Sequence, residues 1–331
     1  MKSCAIVILN FNGEKILPVF LPSVVSESSS DIWVIDNAST DGSIALLQND
    51  FPKVGLIQLS DNFGFAGGYN WGLEQLKGQY QNYILLNSDV EVTPSWDTKL
   101  NEALVAHPNY AALQPKILSW NKRSEFDYAG AGGGYLDDLG YPYCRGRIWN
   151  SIEIDKSQYD DFATVDWASG ACMIIRSEVF HDLDGFDAHF FAHMEEIDLC
   201  WRIRSQGFQV GYIGEVEVYH QGGATLQRSS PNKLYLNIRN SLSMLYKNQS
   251  SGRFWLIFML KGFLESIAAL GYLITGKASS GKAVFKGYRD FLSRRKLLVK
   301  AKSSQEVKSM GPSKVIFWDY FFRKKKTFGK L

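Results

Sequence analysis

The sequence predicts an α/β fold with a mostly parallel central sheet and helices on both of its faces. Short apolar runs alternate with longer helical segments through the first hundred residues, a pattern typical of βαβ units. Each apolar run ends in polar residues, and open α/β sheets bind ligands at the carboxyl ends of their strands. The chain has 331 residues, 45% of them hydrophobic, which suits one large or two ordinary globular domains.

Four strands and four helices are predicted in this first part of the chain. A short apolar run bounded by polar residues is typical of a buried strand. The predicted strands are 4–9, 32–35, 55–59 and 83–86, and the predicted helices are 14–28, 42–50, 66–78 and 95–107. Because parallel strands end at one edge of a sheet, we expect their polar ends to form one crevice.

The most informative strand end is the stretch 84–89, in which Ile-Leu-Leu is followed by Asn87, Ser88 and Asp89. A carboxylate at this position could meet a cation together with its phosphate ligand, because Mg²⁺ typically binds one or two carboxylates plus substrate phosphates. The alternative is a plain polar turn, since Asn, Ser and Asp also form turns.

Residues 108–165 have a different composition, rich in Gly, Tyr and Asp, which predicts loops and hairpins laid over the crevice. The glycine-rich run 129–134 lacks the GxxxxGK[ST] pattern and opens no helix, so it is not a phosphate loop. We expect it to be a flexible loop that covers the substrate. Strands are predicted again at 165–176 and 208–219.

Two helices are predicted in the second half of the chain. The segment 195–207 has acids in its first turn, arginines in its last turns and a glycine at its end, which are the usual helix signals. The segment 231–248 places Lys233, Asn237 and Asn240 on one polar face.

Candidate chemistry in this half rests on Glu195, Glu196 and His220. A helix N-terminus favours an ionised carboxylate by ~0.3–1 kcal/mol, which suits a general base. His220 follows an apolar run and precedes Gly222, and with Asp89 it could form an O,N site for Mn²⁺ or Mg²⁺. The alternatives are helix-end electrostatics for the two glutamates and an ordinary hydrogen-bonded histidine.

The C-terminal part combines an apolar helix with a basic arm. Residues 254–274 contain only two charges, Lys261 and Glu265, spaced to pair on one helix face. The length could span a bilayer, but two charges near the middle favour a helix in the membrane interface. The alternative is a helix packed on the catalytic body. Residues 277–331 hold 16 Lys and Arg against three acids, so the remainder carries −11 within a net charge of +2.

Composition also indicates the compartment and excludes some partners. Cys4, Cys144, Cys172 and Cys200 form no CxxC pair, so we expect buried thiols in a reducing compartment. The apolar run 4–9 is too short for a signal peptide. Aromatic residues at 317–322 lie among basic ones and could stack on nucleic acid, but they also suit a membrane interface. We therefore expect a cytoplasmic protein, peripheral on the inner face of the cell membrane, with no nucleic-acid partner.

Taken in order, these motifs resemble the family 2 glycosyltransferases, which have the nucleotide-sugar-binding GT-A fold. The resemblance covers about residues 3–245. Within the family, the chain is most similar to rhamnosyltransferase-type enzymes of bacterial surface-polysaccharide assembly. The matching segments are 7–13, 34–43, 62–70, 86–89, 170–176, 185–187 and 195–202, followed by His220. The resemblance implies a GT-A domain at 1–248, with a donor half at about 1–107 and an acceptor half at about 108–248. The C-terminal region 249–331 follows this domain.

The resemblance also implies roles for individual residues. Asp89 and His220 would hold Mg²⁺ or Mn²⁺, and Glu196 would be the catalytic base, with Glu195 as the alternative. The nucleotide sugar would be bound by Asn10, Asn12, Asp36, Asn62, Gly64, Phe65, Asn70 and Asn87. Two positions depart from the family pattern, because Asn87 brings no second charge and Glu196 is one methylene longer than the usual Asp.

The function expected from this resemblance is inverting transfer of a sugar, with rhamnose as the candidate, from a nucleotide-diphosphate donor. The acceptor would be a hydroxyl of a saccharide, lipid-linked in view of the apolar helix and basic arm. The alternative is a non-catalytic nucleotide-sugar-binding protein of the same fold, in which the departures at Asn87 and Glu196 mark lost chemistry.

Overall fold

The computed structural model describes residues 1–222, 230–301 and 307–331. The strands are β1 (Lys2–Asn10), β2 (Asp31–Asp36), β3 (Gly55–Gln58), β4 (Tyr80–Asn87), β5 (Val90–Val92), β6 (Tyr110–Ser119), β7 (Gly134–Leu136), β8 (Pro142–Cys144), β9 (Arg147–Ile148), β10 (Ser151–Ile152), β11 (Phe162–Val165), β12 (Cys172–Arg176) and β13 (Gln209–His220). The helices are α1 (Leu17–Glu27), α2 (Ser43–Asp50), α3 (Gly64–Gln75), α4 (Trp96–Ala106), α5 (Ser177–Asp182), α6 (Glu195–Ser205), α7 (Pro231–Asn248), α8 (Ser251–Ile274), α9 (Ala278–Arg294) and α10 (Ile316–Phe321).

The described residues contain one nine-stranded central sheet, in the order β3-β2-β1-β4-β12-β6-β13-β11, with β5 also paired to β13. Six of these strands run in one direction, and only β5, β11 and β12 are antiparallel to their neighbours. The strands β7 to β10 form a separate small antiparallel sheet. The prediction of an α/β fold with a mostly parallel sheet, flanking helices and a C-terminal helical region is confirmed.

The centre of the sheet brings the polar strand ends together. Strand β1 lies between β2 and β4, and its middle residues are fully buried, as expected for a parallel strand covered on both faces. Asn10 pairs in register with Asp36, and Leu9 pairs with Asn87. The chain order reverses between β1 and β4, which is where open α/β sheets hold their ligands.

Three expectations about the middle of the chain are wrong. Strand β6 is a buried strand of the central sheet, although its segment was expected to form loops or hairpins. The predicted strand 165–176 is two strands, β11 and β12, because residues 166–171 leave the sheet. The glycine-rich run 129–134 is not a flexible exposed loop but is mostly buried, with the amide of Ile117 donating to the Ala131 carbonyl at 3.0 Å. A Cβ on Gly134 would lie 2.0 Å from the Trp167 ring, so the close packing requires glycine there.

The C-terminal helices pack on the body through an aromatic cluster. Phe254 of α8 contacts Tyr246 of α7 and Phe291 of α9, with ring centroids 5.2 and 5.6 Å apart. Lys261 and Glu265 pair at 3.1 Å as their spacing predicted, and the Tyr141 hydroxyl donates to Glu265 at 3.0 Å. Lys261 is only 1% exposed. Lys261 and Glu265 therefore both face the protein.

The basic arm is docked on acidic residues of the body. The amide of Ile316 donates to Asp137 at 2.9 Å, the Ser309 hydroxyl donates to Asp166 at 2.6 Å, and the amide of Phe328 donates to Glu153 at 2.9 Å. Residues 302–306 of the arm lie outside the described ranges. The described part of the arm thus packs along the body instead of forming a separate tail.

Candidate active site

The ends of β1 and β2 are joined by a buried hydrogen-bond network. Asn10 donates through Nδ2 to Asp36 Oδ1 at 2.9 Å, and Asp36 Oδ2 accepts the amide of Ser39 at 2.9 Å. Asn12 lies at a positive φ of 53° and joins the same two loops, since its Oδ1 accepts the amide of Thr40 at 2.8 Å. These bonds fix the loop geometry around the Asp36 carboxylate.

A second loop, residues 62–64, is held by Asn37. Its Nδ2 donates to Asn62 Oδ1 at 3.0 Å, and Asn62 Oδ1 also accepts the amide of Gly64 at 2.9 Å. Gly64 has a φ of +71°, and a Cβ there would lie 2.5 Å from the Phe191 ring. Only glycine fits both the backbone angle and the space. We call residues 62–65 the donor loop.

Asn70 fastens helix α3 to the segment that leads toward the candidate base. Its amide group exchanges two hydrogen bonds with the backbone of Phe186, at 2.6 Å to the carbonyl and 2.9 Å from the amide. The Phe65 ring packs on Phe186, with centroids 5.9 Å apart. Both the oxygen and the nitrogen of the Asn70 side-chain amide bind the backbone of Phe186. Asn70 therefore holds helix α3 against the segment that precedes Glu195 and Glu196.

Asp89 and His220 lie together at the end of the sheet. Asp89 Oδ1 is 3.2 Å from His220 Nε2, and the Asn87 amide nitrogen is 3.4 Å from the same ring atom. On the other side of the ring, Nδ1 of His220 is hydrogen-bonded to Asp127 Oδ2 at 3.0 Å. The sequence predicted the first two residues together, whereas Asp127 was missed because nothing in its spacing links it to His220.

The ionisation of this cluster follows from its contacts. Burial disfavours charge on His220, but the hydrogen bonds to Asp127 and Asp89 prevail and raise its pKa to about 10. Burial alone would raise the pKa of Asp89, yet the contact with His220 lowers it overall. The carboxylates of Asp89 and Asp127 thus contact the two different nitrogens of the buried His220 imidazole.

Glu195 and Glu196 open helix α6 in a largely buried position. Burial, and then the charge of Glu196, raise the pKa of Glu195 well above its usual value, while burial raises the pKa of Glu196 to about 7. The backbone hydrogen bonds at the helix N-terminus do lower both pKa values, as expected, but the loss of hydration outweighs them and the net shift is upward.

Three polar atoms in the stretch 193–196 are buried without a hydrogen-bond partner among the described residues. They are Nε2 of His193 and Oε2 of Glu195 and Glu196. Burial, followed by the nearby charge of Lys233, lowers the pKa of His193 to about 4. Since buried polar atoms are nearly always hydrogen-bonded, three exceptions in one turn indicate a place where a polar ligand binds.

The donor loop, strand β12 and helix α6 converge at Gly170. A Cβ on Gly170 would lie 3.2 Å from the Phe65 ring and 3.8 Å from Cβ of Glu196. The next residue, Ala171, accepts the amide of Asn87 at 2.9 Å. These contacts connect the Glu196 region to both the donor loop and the end of β4.

Asn240 supports the backbone that leads to the glutamates. Its Nδ2 lies 2.8 Å from the Ala192 carbonyl and 2.7 Å from the His193 carbonyl. This support matters because His193 and Met194 both have positive φ, 70° and 73°. Sequence reasoning placed Asn240 only on a polar helix face, and the strained loop gave no local signal that could have revealed its partner.

The fold and these motifs define a GT-A-type nucleotide-sugar enzyme class, and comparison with known families agrees. The family model described as Glycosyl transferase family 2 matches residues 5–183. The chain therefore belongs to glycosyl transferase family 2. Within the family it is rhamnosyltransferase-like, as the sequence motifs indicated.

One relative and two solved structures illustrate this kinship. The N-acetylglucosaminyl-diphospho-decaprenol L-rhamnosyltransferase of Mycobacterium tuberculosis is 25% identical over 69% of this chain and 78% of its own length. S. aureus TarS in complex with UDP-GlcNAc has a TM-score of 0.56 and 16% identity, covering 90% of this chain and 84% of that one. The mannosyltransferase PcManGT from Pyrobaculum calidifontis, in complex with GDP-Man and Mn²⁺, has a TM-score of 0.52 and 14% identity, covering 91% and 86%.

Proposed function

We propose that the protein is an inverting glycosyltransferase in which Glu196 is the catalytic base. The observation that carries the proposal is the Glu196 carboxylate, largely buried beside Gly170 and the donor loop, with one oxygen unpartnered among the described residues. A carboxylate with a pKa of about 7 is well matched to accept a proton near neutral pH. The extra methylene relative to Asp extends the side chain from a backbone that the αL residue Met194 redirects.

The reaction needs one base and no general acid. Sugar transfer passes through an oxocarbenium-like transition state, and the nucleoside diphosphate leaves from the face opposite the incoming hydroxyl. Glu196 takes the proton of the acceptor hydroxyl as the new glycosidic bond forms, and the configuration at the anomeric carbon inverts. The pKa of Glu195 is raised by its burial and by the charge of Glu196, so in this scheme Glu195 is protonated and offers a hydrogen-bond donor.

We also propose that Asp89 and His220 hold a divalent cation. Two ligands of Mg²⁺ or Mn²⁺ at right angles are about 3 Å apart at metal–ligand distances of about 2.1 Å, and Asp89 Oδ1 lies 3.2 Å from His220 Nε2. Because the pKa of His220 is about 10, a cation would have to displace the Nε2 proton that the ring donates to Asp89. The hydrogen bond from His220 Nδ1 to Asp127 is the usual support for a metal-binding imidazole. A cation bound there would neutralise charge on the leaving diphosphate.

The protein supplies few ligands to such a cation. Searching the described residues finds no group of three or more His, Cys, Asp and Glu side chains with the geometry of a metal site. This favours a site completed by the donor's phosphates and water, as is usual for Mg²⁺. The Mn²⁺ complex of the related mannosyltransferase fold supports the same type of site.

The acceptor we propose is a saccharide carried on a lipid diphosphate, at the cytoplasmic face of the membrane. The relative from Mycobacterium tuberculosis is named for a diphospho-decaprenol substrate. Among the described residues, one helix, Ser251–Ile274, is long and apolar enough to cross a membrane by length and composition. Lys261 and Glu265 face the protein, while the outer face of the helix exposes Leu256, Met259, Leu260, Phe263, Ile267, Leu270 and Ile274.

We favour a helix lying in the membrane interface over one that spans it, because Lys261 and Glu265 near the middle of α8 are held by Tyr141 of the body. Exposed Trp318 and Phe322 stack on each other at 4.4 Å, next to the exposed cations Arg323, Lys324 and Lys326. Apolar side chains with basic residues beside them suit the boundary between acyl chains and anionic headgroups.

The test is transfer from nucleotide-diphosphate sugars, L-rhamnose donors first, to N-acetylglucosaminyl-diphospho-lipid with Mn²⁺ or with EDTA. We expect metal-dependent transfer, with inversion visible in the anomeric NMR signal of the product. Retention of configuration would contradict the single-base mechanism. Donor binding with neither transfer nor donor hydrolysis, across the donor series, would instead establish a non-catalytic nucleotide-sugar-binding protein.

A further inference from the structure

A cavity of about 300 Å³ lies beside the loop 188–191, outside the crevice described above. Helix α7 and the C-terminal end of α9 form its other walls. Its polar lining includes Arg239, Arg294 and His189, and its apolar lining is formed by Phe191, Phe291 and Leu298. None of the described residues that line it is acidic.

Arg239 is the unusual member of this lining. It is only 7% exposed, and its hydrogen bonds go to neutral acceptors, Asn240 Oδ1 at 2.9 Å and the Phe190 carbonyl at 2.8 Å. No carboxylate within the described ranges forms an ion pair with it. A buried guanidinium without a counter-ion is costly, so the cavity favours an anionic ligand.

The acids nearest to the cavity are engaged elsewhere. Asp187 is paired with Lys247 at 2.6 Å and with the His189 ring at 2.8 Å. Asp290, on α9, accepts the Tyr235 hydroxyl at 2.9 Å and pairs with Arg289 at 2.9 Å. Neither carboxylate therefore neutralises Arg239 or Arg294.

The cavity lies between the donor loop and the outer apolar surface. On one side, the Phe191 carbonyl accepts the amide of Phe65 at 2.7 Å. On the other side, the Phe291 ring packs on Phe254 of α8. The chain neighbours of Leu298, which are Leu297 and Val299, are exposed. A ligand in the cavity would thus have its polar end near the catalytic crevice and its apolar end near the surface proposed to contact lipid.

We propose that this cavity binds the diphosphate of the lipid-linked acceptor, an inference that rests on the proposed function. Arg239 and Arg294 bind the phosphate oxygens, because a guanidinium matches phosphate in charge and in hydrogen-bond geometry. Phe291 and Leu298 contact the first carbons of the lipid. The saccharide then extends past Phe191 toward Glu196.

The variant Arg294→Gln tests the proposal, with Arg289→Gln as the matched control. Arg294 is exposed, lines the cavity and makes no side-chain hydrogen bond or ion pair with another described residue, whereas Arg289 is exposed on the same helix but does not line it. Arg239 is left unchanged because it supports the Phe190 carbonyl. The probes are farnesyl diphosphate, farnesol and inorganic pyrophosphate, titrated calorimetrically into the full chain in EDTA, so that the metal-dependent donor site does not compete.

We expect farnesyl diphosphate to bind the wild-type protein and Arg289→Gln alike, and Arg294→Gln about tenfold or more weakly, as for the loss of one charge-assisted hydrogen bond. Equal affinity in the two variants would overturn the proposal. So would binding of farnesol as tight as that of farnesyl diphosphate, which would indicate a purely apolar site. Equal binding of pyrophosphate and farnesyl diphosphate would show that the cavity binds a free anion and that the lipid chain contributes nothing to binding.

A separate measurement distinguishes this proposal from the enzymatic one. Hydrolysis of the nucleotide-sugar donor, with Mn²⁺ and without acceptor, does not depend on the cavity, so Arg294→Gln should retain it. A wild-type protein that binds farnesyl diphosphate as expected but never turns over any donor would refute the catalytic proposal alone. Normal donor turnover with no farnesyl diphosphate binding would refute the cavity proposal alone.

Discussion

Asp127 holds the imidazole of His220 from behind, with its carboxylate oxygen 3.0 Å from Nδ1, while Nε2 of the same ring faces Asp89 at 3.2 Å. The two carboxylates reach this ring from segments 38 positions apart in the chain. A buried ring with an acid on each side has one orientation, which is how a metal-binding histidine is usually prepared.

Replacing Asp127 should therefore weaken metal binding without removing a ligand. We expect Asp127→Asn to lower Mn²⁺ affinity by about 10–100-fold, as is typical for partners of metal-binding side chains. Electron paramagnetic resonance of free Mn²⁺ measures this directly. Asp97→Asn is the control, because Asp97 is equally buried but bonds Ser29 and Ser30 instead. Unchanged Mn²⁺ affinity in Asp127→Asn would show that the Asp127–His220 bond serves only packing.

Asn87 and Asp89, at the end of β4, should have different functions. Asp89 carries the only charge of its motif, so Asp89→Ala should abolish metal-dependent transfer. Asn87→Ala should mainly weaken nucleotide binding, because Asn87 brings no charge to the cation. Calorimetric titration of the donor, with and without Mn²⁺, distinguishes the two effects. If Asn87→Ala lost the metal response as completely as Asp89→Ala, the assignment of the cation to Asp89 would be wrong.

The choice of base is tested by the pair Glu196→Gln and Glu195→Gln. Loss of a general base typically costs ~10²–10⁴ in rate, so Glu196→Gln should lower kcat by about that factor with donor affinity retained. Glu195→Gln should be affected less, since it keeps the hydrogen-bond donor that a protonated Glu195 supplies. Near-normal turnover in Glu196→Gln together with an inactive Glu195→Gln would move the base to Glu195.

The pH dependence of transfer follows from the raised pKa of Glu196. A base acts when deprotonated, and burial raises the pKa of this carboxyl to about 7. The rate should therefore fall as pH decreases through about 7 and level off above it, whereas a carboxyl at its ordinary pKa would lose activity only near pH 4–5. The profile is measured at saturating metal and donor. A rate independent of pH between 5 and 8 would contradict an essential Glu196 base.

Membrane contact is tested on the outer face of α8. Phe263 is 68% exposed, and Phe263→Glu should weaken binding to vesicles of phosphatidylcholine and phosphatidylglycerol by about tenfold or more, since burying a large apolar side chain contributes about 1.5–3 kcal/mol. Val105→Glu is the matched control, 56% exposed on α4. Cosedimentation at low and high salt gives both affinities. The idea fails if the two variants bind vesicles equally well.

Local patterns in the sequence were sufficient for most elements near the donor loop. Strand β4 contains the predicted segment 83–86 and helix α7 forms at the predicted segment 231–248, where Ser230 caps the helix by accepting the amide of Lys233 at 3.1 Å. Strand β6 was missed because Gln114, Pro115 and Lys116 interrupt its apolar pattern. Lys116 is nevertheless buried, since Asp155, Asp160 and Glu217 surround its ammonium group. Those partners lie 39 or more positions away, so no local window could indicate them.

In the candidate site, too, some residues could be predicted from local sequence and others depend on distant partners. Residues that follow strands, such as Asp36 and Asp89, were predictable because strand ends of a parallel sheet meet at one edge. Asp127, His193 and the cavity around Arg239 were not, because they depend on which loops pack against one another. The net rise in the pKa of Glu196 could not be predicted from the sequence, since burial is a property of the folded chain.

Helix α8 is the clearest example of the difference between what the sequence and the tertiary structure each determine. The sequence by itself determined that Lys261 and Glu265 lie on one face of an apolar helix, because 3.6 residues complete one turn. Only the tertiary structure decided that this face points inward, where Tyr141 donates to Glu265 and the buried ammonium of Lys261 lies over the Tyr141 ring. Buried charges require partners, and those partners come from residues more than a hundred positions earlier in the chain. With the charges satisfied inside, the opposite face of α8 is left apolar and exposed.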